Sequence, residues 1–128
     1  MSTPLQVNIR FLRMNQKEDE LDGSIWKMRC RGLNSLLYGR DYLVFEDAKF
    51  FSKHLKEAHG YEVAAYETVR TKKGMAWSTT LTSTQGLSDV IWMGVYVYGQ
   101  DRIEGTYTWT VGGQQKVRSF VAKRVRQK

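Results

Sequence analysis

The chain has 128 residues, of which 41% are hydrophobic, and this length and composition predict one domain over residues 1–128 with a packed core. The longest strongly apolar stretch, residues 90–99, is half as long as the roughly twenty residues that a membrane-spanning helix needs. The N-terminal residues lack the basic start and apolar segment of a secretory signal, so we expect a cytoplasmic protein, with the nucleus or a virion left open. The single cysteine, Cys30, cannot form a disulfide within the chain or a cysteine-based metal site.

Positive charge is in excess and unevenly distributed. Twenty Lys and Arg residues oppose thirteen Asp and Glu residues, which gives a net charge of +7 and a sequence pI near 9.6. Residues 116–128, the predicted basic C-terminal strand and tail, contain six cations and no acid, and residues 25–40 contain four cations and no acid. Acidic residues cluster instead at residues 18–22. A basic, segregated distribution of this kind is typical of proteins whose partner carries phosphate groups.

The first predicted elements are strands. Apolar and polar residues alternate over residues 6–14 and again over residues 25–31, and alternation with a period of two predicts half-buried strands. In the second run Trp26 and Met28 share one face, while the cations share the other. Residues 42–45 predict a third, short strand.

The only predicted helix spans residues 46–59. Glu46 and Asp47 lie in its first turn and basic residues in its last turn, an order that complements the helix dipole. Gly60 follows as the residue expected to end the helix in the left-handed conformation.

The rest of the chain predicts an antiparallel meander. Runs rich in Val, Tyr, Thr and Trp predict strands over residues 61–71, 75–84, 90–98, 106–111 and 116–126. Residues 90–98 are apolar on both faces, which predicts a strand that is central in the sheet or covered on both sides. The fold class is therefore α+β, with a mostly antiparallel, curled sheet or partly open barrel of seven to eight short strands and one helix.

Catalytic and cofactor signals are weak. Glycine-rich phosphate-binding motifs are absent from the sequence, and we expect no cofactor, no metal and no catalytic residue. His54 and His59 are five residues apart on the predicted helix and are expected to point to different faces. Asp47 and Lys49, with an upstream Asp41 or Asp22, form an acid-x-Lys pattern like the metal sites of some nucleases, although an ordinary first helical turn explains it equally well.

Cations interleaved with aromatic residues predict a non-catalytic protein that binds nucleic acid, most favourably single-stranded DNA or RNA, because cations follow phosphates and exposed rings stack on bases. Tyr107 and Trp109 share a face opposite three threonines, and the sequence leaves open whether that face is exposed or part of the core. The candidate nucleic-acid-binding residues are Lys27, Arg29, Arg31, Lys72, Lys73, Tyr107, Trp109, Lys116, Arg118, Lys123, Arg124 and Arg126.

The main alternative is an assembly or protein-interaction subunit, viral or accessory, that forms a homo-oligomer through its exposed aromatics. Less favoured are the metal-dependent nuclease and a β-barrel that holds a small ligand in an aromatic interior. No membrane partner is expected.

Overall fold

The computed structural model describes residues 21–30 and 39–125. These residues form nine strands and one short helix. The strands are β1 (Ser24–Cys30), β2 (Gly39–Glu46), β3 (Lys49–Ser52), β4 (Ala64–Ala65), β5 (Glu67–Arg70), β6 (Gly74–Leu81), β7 (Val90–Val97), β8 (Arg102–Val111) and β9 (Gln114–Arg124), and the helix is α1 (Lys53–His59). No helix in this part of the chain is long and apolar enough to cross a membrane.

All strand pairs are antiparallel and belong to one sheet, in the order β4-β3-β2-β1-β9-β8-β7-β6-β5. Two meanders, β1 to β4 and β5 to β9, are joined where the first strand pairs with the last. The sheet curls into a nearly closed barrel.

The barrel closes through a segment that changes its pairing partner. β4 pairs with β3, and after Tyr66 the chain continues as β5, which pairs with β6. A hydrogen bond of 2.7 Å from Thr79 Oγ1 in β6 to the carbonyl oxygen of Ala65 joins the two ends of the sheet. Because β5 turns away towards β6, a cleft opens between β5 and the turn that joins β2 to β3.

The interior of the barrel is occupied by aromatic side chains. Period-two alternation directs every second residue inwards, including Trp26 and Met28 in β1. Ring centroids 4.9–5.4 Å apart form a continuous chain across the core through Phe45, Trp77, Phe50, Trp92, Tyr107 and Trp109. Rings at this spacing contribute contact energy beyond the burial of their area.

One pair of glycines lets the sheet carry these large rings. Gly94 in β7 lies opposite Gly105 in β8. A Cβ atom on Gly94 would lie 2.9 Å from the indole ring of Trp77, and one on Gly105 would lie 2.2 Å from the carbonyl oxygen of Met93. The absence of side chains at both positions therefore makes room for the Trp77 ring and for the close approach of the two backbones.

The predicted helix over residues 46–59 is wrong in its first half. Asp47 and Ala48 adopt positive φ angles of 54° and 62° and form a two-residue hairpin turn between β2 and β3. The helix begins only after Ser52, whose hydroxyl accepts a hydrogen bond of 3.2 Å from the Leu55 amide. A hairpin turn and a helical first turn both favour acidic residues, and tertiary pairing of β3 decided between them.

The other predicted elements can be compared with the structure strand by strand. The described residues form nine strands instead of the predicted seven to eight, because residues 61–71 divide into β4 and β5 and because β3 forms inside the predicted helix. The predicted strand over residues 6–14 lies outside the described residues. The predicted left-handed cap at Gly60 is confirmed, with φ at 68°. Of the two alternatives for residues 90–98, the structure shows the central strand, because β7 pairs with β6 and β8, while its outer face is not covered and Met93 is 57% exposed.

Asp41 is a buried carboxylate that fixes α1 to the barrel. It accepts hydrogen bonds from the amides of Tyr42 and His54, at 2.7 and 2.9 Å, and from the hydroxyl of Ser52. Burial raises the pKa of the Asp41 carboxyl above 3.8, and the three hydrogen bonds only partly offset that rise.

We therefore expect the free energy of unfolding of Asp41→Asn to increase relative to that of the wild type as the pH rises. A carboxyl whose pKa is raised by folding contributes stability that is fully present below 3.8 and is lost as the pH rises through the folded-state value. The asparagine variant lacks this titration, while its amide oxygen retains an acceptor for the backbone amides. Denaturant unfolding of both proteins at pH 3, 5 and 7 measures the difference, and a difference that is constant with pH would contradict the expected burial cost.

Candidate functional site

Cations from several strands meet on the outer face of the barrel. Lys27 in β1 lies directly opposite Lys123 in β9, and Lys123 lies opposite Arg102 in β8. On its other side Lys27 lies opposite Tyr42 in β2. The neighbours of these residues along each strand are buried in the core, so the four side chains project outwards.

The row of cations continues at both ends. At one end the ammonium nitrogen of Lys53, the first residue of α1, lies 5.8 Å from the centroid of the Tyr42 ring. At the other end Arg102 lies opposite Val97. The residue after Val97, Tyr98, donates its amide hydrogen to the carbonyl oxygen of Lys73 at 3.1 Å.

We call this row the basic belt, and it consists of Lys73, Arg102, Lys123, Lys27 and Lys53. From β6 to β2 the belt crosses five strand spacings, which at about 4.8 Å each make an arc of about 24 Å around the barrel. Lys73, Lys123 and Lys53 are exposed, and Lys27 and Arg102 are partly exposed. The belt is thus a line of accessible positive charge, one side chain wide.

The centre of the belt is electrostatically uncompensated. In the described part of the chain the ion pairs join Arg102 to Glu104 and Arg124 to Asp101, and neither involves Lys27 or Lys123. Like charges directly opposite each other on a sheet destabilise it. An anion bound over the pair would remove that repulsion, so the arrangement is suited to a ligand that carries negative charge.

Four of the sequence-predicted site residues lie in or beside the belt: Lys27, Lys72, Lys73 and Lys123. Arg124 does not, because it points inwards. Its guanidinium lies 4.5 Å from the Trp26 ring centroid and 5.3 Å from that of Tyr96, and its Nε donates to a carboxylate oxygen of Asp101 at 3.2 Å. Arg124 therefore closes one end of the aromatic core.

Lys116 and Arg118 lie towards the opposite end of β9. Seven residues separate Lys116 from Lys123, which is about 24 Å along an extended strand. Arg118 has the inward register of Phe120, and its guanidinium lies 5.9 Å from the Trp109 ring centroid. Both cations, which are among the predicted nucleic-acid-binding residues, therefore lie apart from the belt.

Tyr107 and Trp109, whose exposure the sequence leaves open, are core residues. Tyr107 is fully buried and Trp109 is 2% exposed, with their rings 5.4 Å apart and nearly parallel. Their outward neighbours are the threonines of β8. Neither ring is accessible for stacking on a base in this structure.

Arg31 and Arg126 lie outside the described residues, and for Arg29 the structure describes only the backbone, which pairs in register with Arg40. Sequence reasoning missed Arg102 and Lys53 as belt members. Arg102 was placed in a turn, since the strand was predicted to begin only at residue 106. A continued alternation through Ile103 and Gly105 was the signal for the longer strand.

The acidic and histidine side chains that the structure describes do not assemble into a metal site. Within the described residues no group of three or more His, Cys, Asp or Glu side chains is placed to hold a metal ion. The Asp47–Lys49 pattern lies in the exposed β2–β3 turn, and Asp41 is buried with its oxygens already hydrogen-bonded. The prediction that His54 and His59 point apart is wrong, since their ring centroids are 5.5 Å apart.

Comparisons with models of protein families, with curated proteins and with solved structures found no match. The chemistry of the basic belt is therefore the basis on which a function is inferred.

Proposed function

We propose that this chain is a non-catalytic protein that binds nucleic acid along the basic belt, with single-stranded DNA or RNA favoured. The observation that carries the proposal is the Lys27–Lys123 pair, two cations held directly opposite each other with no acidic partner in the described residues. Phosphates of a nucleic-acid backbone supply the missing negative charge, and each contact releases a condensed counterion.

The shape of the belt favours a linear polyanion. Lys27, Lys123 and Arg102 follow one another across β1, β9 and β8, with Lys53 and Lys73 beyond them at the two ends, instead of forming a broad patch. A chain with one phosphate per nucleotide can place successive charges along such a line, whereas a small anion would neutralise only one or two of them.

A single strand suits this surface better than a duplex. The belt follows the curvature of the barrel, and duplex DNA, with a persistence length of about 50 nm, resists bending on this scale. Tyr42 also lies within the belt and is partly exposed, so it is the aromatic group nearest to the bases of a bound strand. Stacking on such a ring is worth about 1–3 kcal/mol per base.

The test is a salt titration of binding to single- and double-stranded DNA and RNA by electrophoretic shift. With five phosphate contacts, log K against log salt should have a slope of about −3.5 for single strands. A rise from roughly 50 to 200 mM salt should then weaken binding about a hundredfold. Binding that is indifferent to salt, or absent for all four nucleic acids, would contradict the proposal.

A protein-interaction or assembly subunit is the second candidate, and one observation favours it. The outer face of β5, β7 and β9 has several exposed apolar side chains, namely Val69, Ile91, Met93, Val117 and Val121. Contiguous apolar surface of this kind is typical of protein interfaces. A defined oligomer whose mass does not change with added nucleic acid would favour this candidate over the first.

A further inference from the structure

The cleft beside β5 has features of a binding site that the belt does not include. It has a volume of about 460 Å³, which lies within the range of small-molecule sites. Its lining combines apolar, aromatic, acidic and basic side chains: Leu21, Asp22, Ala48, Tyr66, Thr68, Arg70 and Met75.

Asp22 provides a directed hydrogen-bond acceptor in this cleft. Its Oδ1 accepts the Ala48 amide at 2.7 Å and the Tyr66 hydroxyl at 3.0 Å, which orients the carboxylate from two sides. Within the described residues Oδ2 accepts no hydrogen bond. The side chain is exposed, so Oδ2 can accept a donor from a ligand in the cleft.

The cleft lies at one end of the basic belt. Arg70 and Met75, which line it, flank the Lys72–Lys73 turn and lie opposite each other in the β5–β6 hairpin. Arg70 also places positive charge at the cleft, with its guanidinium 5.8 Å from the Tyr98 ring centroid. A strand that follows the belt to Lys73 is therefore directed towards the part of the cleft that Arg70 and Met75 line.

The donor and acceptor pattern of the cleft discriminates between bases. A carboxylate oxygen accepts from the exocyclic amino groups of adenine, cytosine and guanine. Uracil and thymine present a carbonyl oxygen at the corresponding position, which repels a carboxylate, and only their ring N3–H remains beside it as a donor. The apolar residues Leu21 and Met75 belong to the buried core and form the floor of the cleft.

We propose that the cleft beside β5 binds one nucleobase with an exocyclic amino group, as the terminal base of a single strand that lies along the basic belt. The strand part of this inference rests on the proposed function, whereas the base part depends only on Asp22 and the cleft.

The experiment compares an oligouridylate with the same oligonucleotide ending in one adenosine, binding to the wild type and to Asp22→Asn. The wild type should prefer the adenosine end by roughly tenfold. Asparagine keeps an oxygen for the Ala48 amide but can place an N–H₂ donor where Oδ2 was, so the variant should lose this preference and favour uridine. Its thermal melt should match that of the wild type.

The two proposals fail separately. Lys27→Ala with Lys123→Ala should weaken both oligonucleotides equally and leave the tenfold ratio unchanged. A wild-type ratio near one, with salt-dependent binding intact, would overturn the cleft inference and leave the proposed function standing.

If neither oligonucleotide binds, calorimetry with adenosine and uridine tests the cleft by itself. Selective binding of adenosine that reverses in Asp22→Asn supports the cleft inference, and equal or absent binding of the two nucleosides overturns it. Adenosine monophosphate binding as tightly as the oligonucleotide would overturn the strand-end role.

Discussion

The double variant Lys27→Ala with Lys123→Ala is expected to lose roughly fiftyfold in affinity for single strands at about 50 mM salt. Each phosphate contact to a single strand multiplies the binding constant by about the inverse of the molar salt concentration raised to the power 0.7. The double variant removes two such contacts. The salt slope should become shallower by about 1.4 for the same reason. All sequences should be weakened alike, because these cations contact phosphates and not bases.

The same double substitution should not lower the thermal stability of the protein. Removal of two like charges that face each other relieves a repulsion of roughly 0.2–1 kcal/mol, so the variant should melt at the same temperature as the wild type or slightly higher. Lys116→Ala is the matched control, since it removes an exposed cation from the same strand about 24 Å from Lys123. The control removes one charge and the double variant removes two, so a loss of log affinity in the control that is half of that in the double variant would mean that net charge, and not the belt, determines binding.

Properties within one strand were predictable from the sequence. Alternation correctly separated buried Trp26 and Met28 from outward Lys27, because the period of two is a local property of an extended chain. It also placed Arg118 on the same face as Phe120. Alternation does not say which face points inwards, however, and burial of Phe120 decides that here.

Properties that depend on pairing between distant strands were not predictable. The belt exists because β1 pairs with β9, which brings Lys27 beside Lys123 across 96 positions of the sequence. Local charge density instead favoured the C-terminal run. In the described part of that run Lys123 lies in the belt, Arg124 points inwards and Lys116 lies towards the other end of β9. The hairpin at Asp47 was missed for a related reason, since its competitor, a helical first turn, has similar local chemistry and only pairing of β2 with β3 decides between them.

Trp109→Ala is expected to lower the free energy of unfolding by about 3–5 kcal/mol, the range for truncation of a buried Trp. The indole is 2% exposed, stacks on Tyr107 and lies under the guanidinium of Arg118, so its removal leaves a cavity that these neighbours cannot close.

Binding should respond to the same substitution in a different way. Under conditions where the variant remains folded, its affinity for single strands and its salt slope should match those of the wild type, because Trp109 lies inside the barrel and away from the belt. Thr110→Ala is the control, since it truncates the exposed neighbour in β8 and should leave the melt nearly unchanged. An unchanged melt for Trp109→Ala, together with a loss of about 1–3 kcal/mol in single-strand affinity, would instead place this ring on the binding surface and move the nucleic-acid site from the belt to the far end of the barrel.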